Sequence, residues 1–516
     1  MSERWVRVRA VVWLELRVQR REPLTILYML VLALLAMAFA AAGPVELVRD
    51  RGAVPRAAAW SLMLASTAIT AFGQVITTMV AATVVLRDRA DRVADLLVTT
   101  QLTEPEYRLA KLLAALVMLA LIYTAIPFGL VTGAMLGGGS FGEAVRGSIP
   151  PFVAVVLPTM LAIGALQFAV GVLSGRLWVI VGQGLVLIWL WTAAITEVGR
   201  GGAALVALLD PFGSAPLLMA TREWSVVERS ARPMPLTPLL MASRAVWLAL
   251  GLLVAGVAIM RSEPRRAGLA PVARTTPDSP FYAPRAVALV RAGTPHWWTG
   301  LTGTASYVAR WMLRDAGWRV LALLGAVNVG VHAAFAPAAA DVDRAAIRLL
   351  LEHARLFLIL LATIYAGELV WREREERSAP LFDALPVAEG ALIVGRIAGA
   401  VAAQCVMVAG LVLAVAAGLV WQGAGVPFGL PALAASLLLL PFVAWMLLSL
   451  AVHVVVQQKV AGHLLVIAGW AFASVGFDAT AGSADAGLPT IGWVTVCLLA
   501  GSIVRTRWRR ETAGRL

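Results

Sequence analysis

Charge is scarce in this chain. Only 14% of its 516 residues are Asp, Glu, Lys or Arg, against about 25% in an ordinary soluble domain. A water-soluble fold is thereby excluded, and a mean hydropathy of +0.83 turns the apolar excess toward lipid. Cysteine is scarcer: Cys405 and Cys497 both lie inside apolar runs and read as small packing residues, with no disulfide or metal framework. Lysine occurs only at Lys111 and Lys459. No Gly-x-x-x-x-Gly-Lys-Ser/Thr loop exists, and His296, His332, His353, His453 and His463 all lie outside any His-Glu-x-x-His pattern. Neither nucleotide hydrolysis nor zinc peptidase chemistry is expected of this chain, and no metal or other cofactor. Nothing in it resembles a nucleic-acid module.

What the chain has in abundance is long apolar runs. Twelve of them, near 24–43, 60–86, 109–137, 150–174, 177–197, 239–260, 318–338, 346–371, 391–420, 428–456, 460–476 and 488–504, approach the roughly 20 residues that cross about 30 Å of hydrocarbon. They are too continuous for barrel strands, which alternate over about ten residues. The expected class is therefore an all-α, multi-pass membrane protein. Basic residues cluster at Arg4–Arg21, Arg261–Arg319 and Arg505–Arg515. By the positive-inside bias these blocks, and both termini, are expected in the cytoplasm. The net charge of +13 then serves topology and attraction to anionic membrane lipid. No cleavable signal pattern appears, so the first run is expected to act as an anchor.

The organisation is twofold. Val85-Leu86-Arg87-Asp88-Arg89-Ala90-Asp91-Arg92 has a counterpart in Val370-Trp371-Arg372-Glu373-Arg374-Glu375-Glu376-Arg377, with charge signs from Arg87 to Arg92 kept at every position but one. Continuing without a gap, Leu96 falls on Leu381, Glu104 on Glu389 and Lys111 on Arg396. An internal duplication follows, with six spans per half and both halves in the same orientation. The expected domains are 1–260, a proline- and arginine-rich cytoplasmic linker at 261–305, and 306–516. Each half opens on a basic, Trp-bearing interfacial helix, 5–21 and 307–319, anchored by Trp13 and Trp311.

Each charged segment continues into a short amphipathic helix, apolar at Val93, Leu96 and Leu97 in one copy and at Leu381, Phe382 and Leu385 in the other. Thr103-Glu104-Pro105-Glu106 has the form of a capping box for the span that follows. An exposed apolar face rimmed by charge suits protein docking. A hairpin tied to two spans suits force transfer.

At these residues the chain resembles the permeases of type-2 ATP-binding-cassette exporters. The resemblance is carried by Arg87-Asp88-Arg89 with Leu96-Leu97-Val98-Thr99-Thr100 and Lys111, and by Gly367-Glu368-Leu369-Val370-Trp371-Arg372-Glu373-Arg374 with Ala384-Leu385-Pro386-Val387 and Arg396. It resembles the membrane part of large permease–aminopeptidase fusions. It implies the type-2 exporter fold, two fused half-permeases, and a bacterial cytoplasmic membrane. Two separate ATPase subunits, the same or different, would hold ATP and Mg²⁺ and dock on the hairpins. The coupling residues it implies are Arg87, Asp88, Arg89, Arg92, Leu96, Leu97, Glu104 and Lys111, then Arg372, Glu373, Arg374, Arg377, Leu381, Phe382, Glu389 and Arg396.

Candidate transport-path residues are the polar stripe Thr67, Thr70 and Gln74 and the Glu352–Arg355 pair, since polar groups inside spans are either functional or helix-to-helix glue. Two other readings stay open. An ion-coupled secondary transporter would want carboxylates near the midplane. A membrane scaffold for a peptidase or other enzyme would need catalytic groups from elsewhere.

Overall fold

The structure is a computed structural model describing residues 3–42, 54–90, 101–199, 201–202, 204–261, 297–336, 341–376, 378, 387–456 and 458–477. All regular structure among them is helical. Among the described residues ten helices are long and apolar enough to cross a membrane, the architecture of a multi-pass all-α membrane protein. Ten of the twelve expected runs coincide with these helices. The run at 460–476 forms a helix whose described apolar part, Lys459–Gly469, is shorter, and 488–504 lies outside the described residues. The chain divides into two compact units, Met1–Phe281 with Ala468–Gly482, and Tyr282–Ile467 with Ser483–Leu516.

In the first unit α1 (Glu3–Arg21) leads into α2 (Pro23–Ala42) and the long α3 (Ala59–Ala90). The next span is broken into α4 (Glu104–Tyr123) and α5 (Ala125–Leu136). Pro127 explains the break: it has no N–H to offer the Tyr123 carbonyl and its ring crowds that oxygen. The following span runs through α6 (Phe141–Pro151), a π-helical turn (Phe152–Val156) and α7 (Leu157–Ser174). Then come α8 (Leu177–Gly199), the short α9 (Ala204–Leu208), α10 (Ser214–Ala220) and α11 (Val226–Ala231), and the span α12 (Pro238–Met260). The most enclosed span is α3, 67% buried against 28% for Val179–Gly199. It packs on α2, α7 and α8, and its Trp60, Met63 and Leu64 meet Val155, Leu217 and Leu240 in one buried cluster.

The segment 204–220 is pinned by charge. Arg244 on α12 is buried and donates to Thr159 Oγ1 (2.6 Å), the Pro211 carbonyl (2.8 Å) and the Asp210 carbonyl (2.7 Å). Asp210 accepts from the amides of Phe212 (2.7 Å) and Ala215 (2.6 Å), which caps α10. Gly213 sits between them at φ 86°, a left-handed value that a side chain disfavours.

The second unit has α13 (Trp297–Arg314), α14 (Ala316–Ala334), α15 (Val342–Glu375) and α16 (Glu389–Trp421). A further span follows through α17 (Leu430–Ala434), a π-helical turn (Ala435–Leu439) and α18 (Leu440–Val455), and α19 (Lys459–Phe477) comes last, belonging to this unit up to Ile467. The first helix differs from expectation. It starts at Trp297, inside the stretch read as linker, and ends at Arg314, where the read helix had continued to 319. Asp315 sets the boundary: its carboxylate accepts from the amides of Gly317 (2.9 Å) and Trp318 (3.3 Å) and starts α14. Cys405 is exposed on α16 rather than packed, and Cys497 lies outside the described residues.

Both π-helical turns have the same local cause. Pro158 and Pro441 each follow two residues after the turn ends, and the carbonyl four residues before each proline lies within it. Opening the helix by one residue relieves the clash between proline ring and carbonyl.

Candidate functional site

The charged end of α3 is a joint among three helices. Arg87 and Asp88 on α3 meet Lys111 on α4 and Glu15 on α1. Lys111 Nζ lies 2.7 Å from Glu15 Oε1 and 2.7 Å from Asp88 Oδ2. Arg87 Nη2 lies 2.7 Å from Glu15 Oε2, and its Nε 3.6 Å from Asp88 Oδ1. The Tyr107 hydroxyl donates to Asp88. Two cations and two anions cancel, which is what lets Lys111 sit at 3% side-chain exposure. A compact ammonium with three donors fits between two carboxylates better than a planar guanidinium. Beside the joint, Arg4 and Arg7 of α1 reach Glu106 at 3.2 and 2.9 Å. Thr103 and Glu106 form the expected capping box with Pro105 in the first turn. Glu104 pairs with Arg108, which also donates to the Ala258 carbonyl at the end of α12 (2.7 Å).

The second unit has a matching pair. Both Glu373 oxygens accept from Arg396 Nη2, at 2.8 and 2.7 Å, joining the charged end of α15 to the start of α16. Around it the contacts differ. Arg372 pairs with Glu376 at 2.9 Å and lies over the Trp311 ring of α13, 4.3 Å from its centre. Tyr365 donates to Asp315 (2.5 Å). Lys459 bridges Glu368 (2.7 Å) and Glu375 (2.9 Å). The chain's two lysines thus both sit between pairs of carboxylates. Arg374 lies over the Trp371 ring at 5.0 Å, and Glu389 stands in the first turn of α16.

Not every expected coupling residue is placed. Arg92, Leu96, Leu97, Arg377, Leu381 and Phe382 lie outside the described residues, as does the Arg89 side chain. Of those that are placed, Arg87, Asp88, Lys111, Glu373 and Arg396 face inward on neighbouring helices. Glu15, Glu106, Tyr107, Asp315, Tyr365 and Lys459 complete the joints and were not foreseen. The scarcity of lysine was the available signal for two of these contacts.

The expected transport-path residues divide. Thr67 and Thr70 are buried and donate to carbonyls of their own helix, Leu64 (2.9 Å) and Ser66 (2.7 Å). Gln74 is buried without a partner for either amide atom. Glu352 and Arg355 are both exposed, and no ion pair joins them among the described residues. Their spacing puts them on neighbouring turns, but their side chains do not meet. Elsewhere in the second unit, the rings of His453 and His463 lie 4.4 Å apart, wedged against Gly367.

Comparison with known protein families, curated proteins and solved structures returned no match to this chain.

Proposed function

We propose that this chain is the permease subunit of an ATP-driven exporter of the type-2 ATP-binding-cassette class, two half-permeases fused in one polypeptide. The observation that carries the reading is the twice-built joint: Asp88–Lys111 and Glu373–Arg396 pair with equal sequence spacing, each across the root of a charged hairpin. Two further correspondences support a duplicated half. The π-helical turns before Pro158 and Pro441 fall in the fourth span of each. Thr78 of α3 and Thr363 of α15 each accept an N–H from that span, from Gln167 (2.8 Å) and Trp445 (3.0 Å).

In this reading the hairpins and both termini are cytoplasmic. Each hairpin docks on an ATPase subunit that holds ATP and Mg²⁺. The joints turn a push on the hairpin into movement of its two spans. Arg87 is then a joint residue and not a docking contact, because its charge is already engaged by Glu15 and Asp88. Docking falls to the apolar faces at Leu96–Leu97 and Leu381–Phe382.

The test is affinity purification of the full chain from its native membrane. An ATP-binding-cassette ATPase is expected to co-purify, and Leu96→Asp with Leu381→Asp is expected to reduce its recovery at least ~10-fold, the loss of about 1.4 kcal/mol. Recovery of no such ATPase, or transport in liposomes driven by an ion gradient alone, would overturn the proposal.

A further inference from the structure

Helix α1 has two faces of opposite use. Toward the bundle it buries Val8, Glu15 and Gln19. Away from it, Trp5, Arg9, Trp13, Arg17 and Arg21 follow one another every four residues, and each is exposed. That spacing stacks them on successive turns of one side. Arg20 is exposed beside them. Trp5 and Trp13 each keep 56% of their surface open, so the stripe is both aromatic and cationic.

The arginines of α1 divide by partner. Arg4 and Arg7 reach Glu106. Among the described residues no carboxylate pairs with Arg9, Arg17, Arg20 or Arg21. Arg17 lies over the Trp13 ring, 3.6 Å from its centre. A guanidinium stacked this way keeps the N–H groups of its own plane free for an outside acceptor. The carboxylates stand elsewhere: Glu15 is inside the joint, and Glu3 and Glu22 are at the helix ends.

The stripe sits at the mouth of a span. One residue, Glu22, separates α1 from the apolar α2. The bend is fixed, because the Gln19 carbonyl accepts from Thr25 Oγ1 (2.7 Å) and from the Glu22 amide (3.1 Å). Arg17, Arg20 and Arg21 are thereby held where hydrocarbon ends and lipid phosphates begin, the level that Trp also favours. The opening helix of the second unit differs. α13 carries only Arg310 and Arg314, and Arg310 turns back to the Ser306 carbonyl at 3.0 Å.

We propose that the outward stripe of α1 is a docking surface for anionic phospholipid headgroups, a property that α13 does not share. A phosphodiester accepts from guanidinium N–H groups in pairs. Arg17 and Arg21 are one turn apart with Arg20 beside them, so they can address one phosphate together. A zwitterionic headgroup brings its own cation to the same arginines and loses much of that attraction. The opposite face of this helix holds Glu15 against Arg87 and Lys111, so the lipid contact and the hairpin root share one rigid element.

The probe is radiolabelled dioctanoyl phosphatidylglycerol, compared with dioctanoyl phosphatidylcholine, binding to the full chain purified in dodecyl maltoside. Wild type is expected to favour phosphatidylglycerol at least ~10-fold, the scale of several arginines acting on an anionic headgroup. Arg9→Gln with Arg17→Gln and Arg20→Gln is expected to remove the preference, and Arg310→Gln with Arg314→Gln to leave it in place. All five side chains are exposed, so both variants are expected to unfold near the wild-type temperature. Salt at about 1 M screens exposed charge without any substitution and is expected to remove the wild-type preference as well. Equal binding of the two lipids by wild type would overturn the proposal and leave the arginines to topology alone. So would a preference that survives the α1 substitutions or high salt, or one that the α13 substitutions also remove. Full competition by glycerol phosphate would assign the face to a soluble anion and overturn it equally. Failure of the ATPase to co-purify would leave any of these results standing.

Discussion

The two joints do the same work with different chemistry. In the first unit α1 is held to the hairpin root by charge: Glu15 reaches Arg87 and Lys111, and Arg4 and Arg7 reach Glu106. In the second, α13 (Trp297–Arg314) contains no acidic residue to send toward Arg396. It is held by shape instead. Gly395 and Gly399 of α16 let the α13 backbone approach so closely that a Cβ would lie 2.8 Å from the Leu301 carbonyl oxygen or 2.5 Å from that of Ala305. Trp311 adds its face to Arg372. Ionic attachment is directional and sensitive to the loss of one partner. Close backbone packing tolerates charge changes but not added volume. A duplicated element can thus keep its geometry while exchanging what enforces it.

The largest expected effect comes from breaking the ionic joint at its centre. Lys111→Met leaves the buried Glu15 and the partly buried Asp88 with Arg87 as their one shared cation, a loss of about 3–5 kcal/mol. Arg396→Met removes the guanidinium paired with Glu373, which keeps 22% of its side chain exposed, so the loss there is nearer ~1–3 kcal/mol. Thermal unfolding of the purified variants measures both. Equal losses would remove the distinction between the joints.

Next is added volume. Gly399→Leu forces a side chain onto the Ala305 carbonyl and is expected to cost about 1–3 kcal/mol by overpacking. Moderate salt is expected to leave that deficit unchanged, because no charge is involved. A deficit that varied with ionic strength would mean that charge also contributes to the second joint.

The smallest effect is expected at Arg4, whose side chain is 75% exposed. Arg4→Ala is expected to change stability by about 0–1 kcal/mol, and raising salt should erase the difference. The same unfolding assay, run at two ionic strengths, resolves it.

Span positions and the Thr103 capping box were legible because hydrophobic length and capping residues act locally. The pairing of Asp88 with Lys111 was half legible: their register was visible, but not that Glu15, far earlier in the chain, completes the joint. The buried face of α1 carries Glu15 and Gln19, so its amphipathic pattern reads as flawed until its partners are known. The start of α13 was hidden for a related reason. Gly300 and Gly303 weaken helix propensity, yet Gly300 sits hard against Val387, where a Cβ would come within 2.4 Å of a methyl carbon. Tertiary packing outweighs propensity there. Glu352 and Arg355 show the opposite limit: correct spacing does not compel two exposed side chains to meet. The packing of Gln74, Thr78 and Gln167 against Gly184 depends on three helices at once and has no local signature beyond Gln74.

The π-helical turn at Phe152–Val156 has a further consequence for α7. One additional residue in a turn rotates everything beyond it by about 100° relative to an uninterrupted helix. Thr159, which receives Arg244, and Gln167, which faces Gly184, both lie beyond that twist. Pro158 thereby phases the whole segment, aiming two buried polar side chains from a distance. A helix straightened by one deletion would keep its length almost unchanged and point both of them at the wrong neighbours.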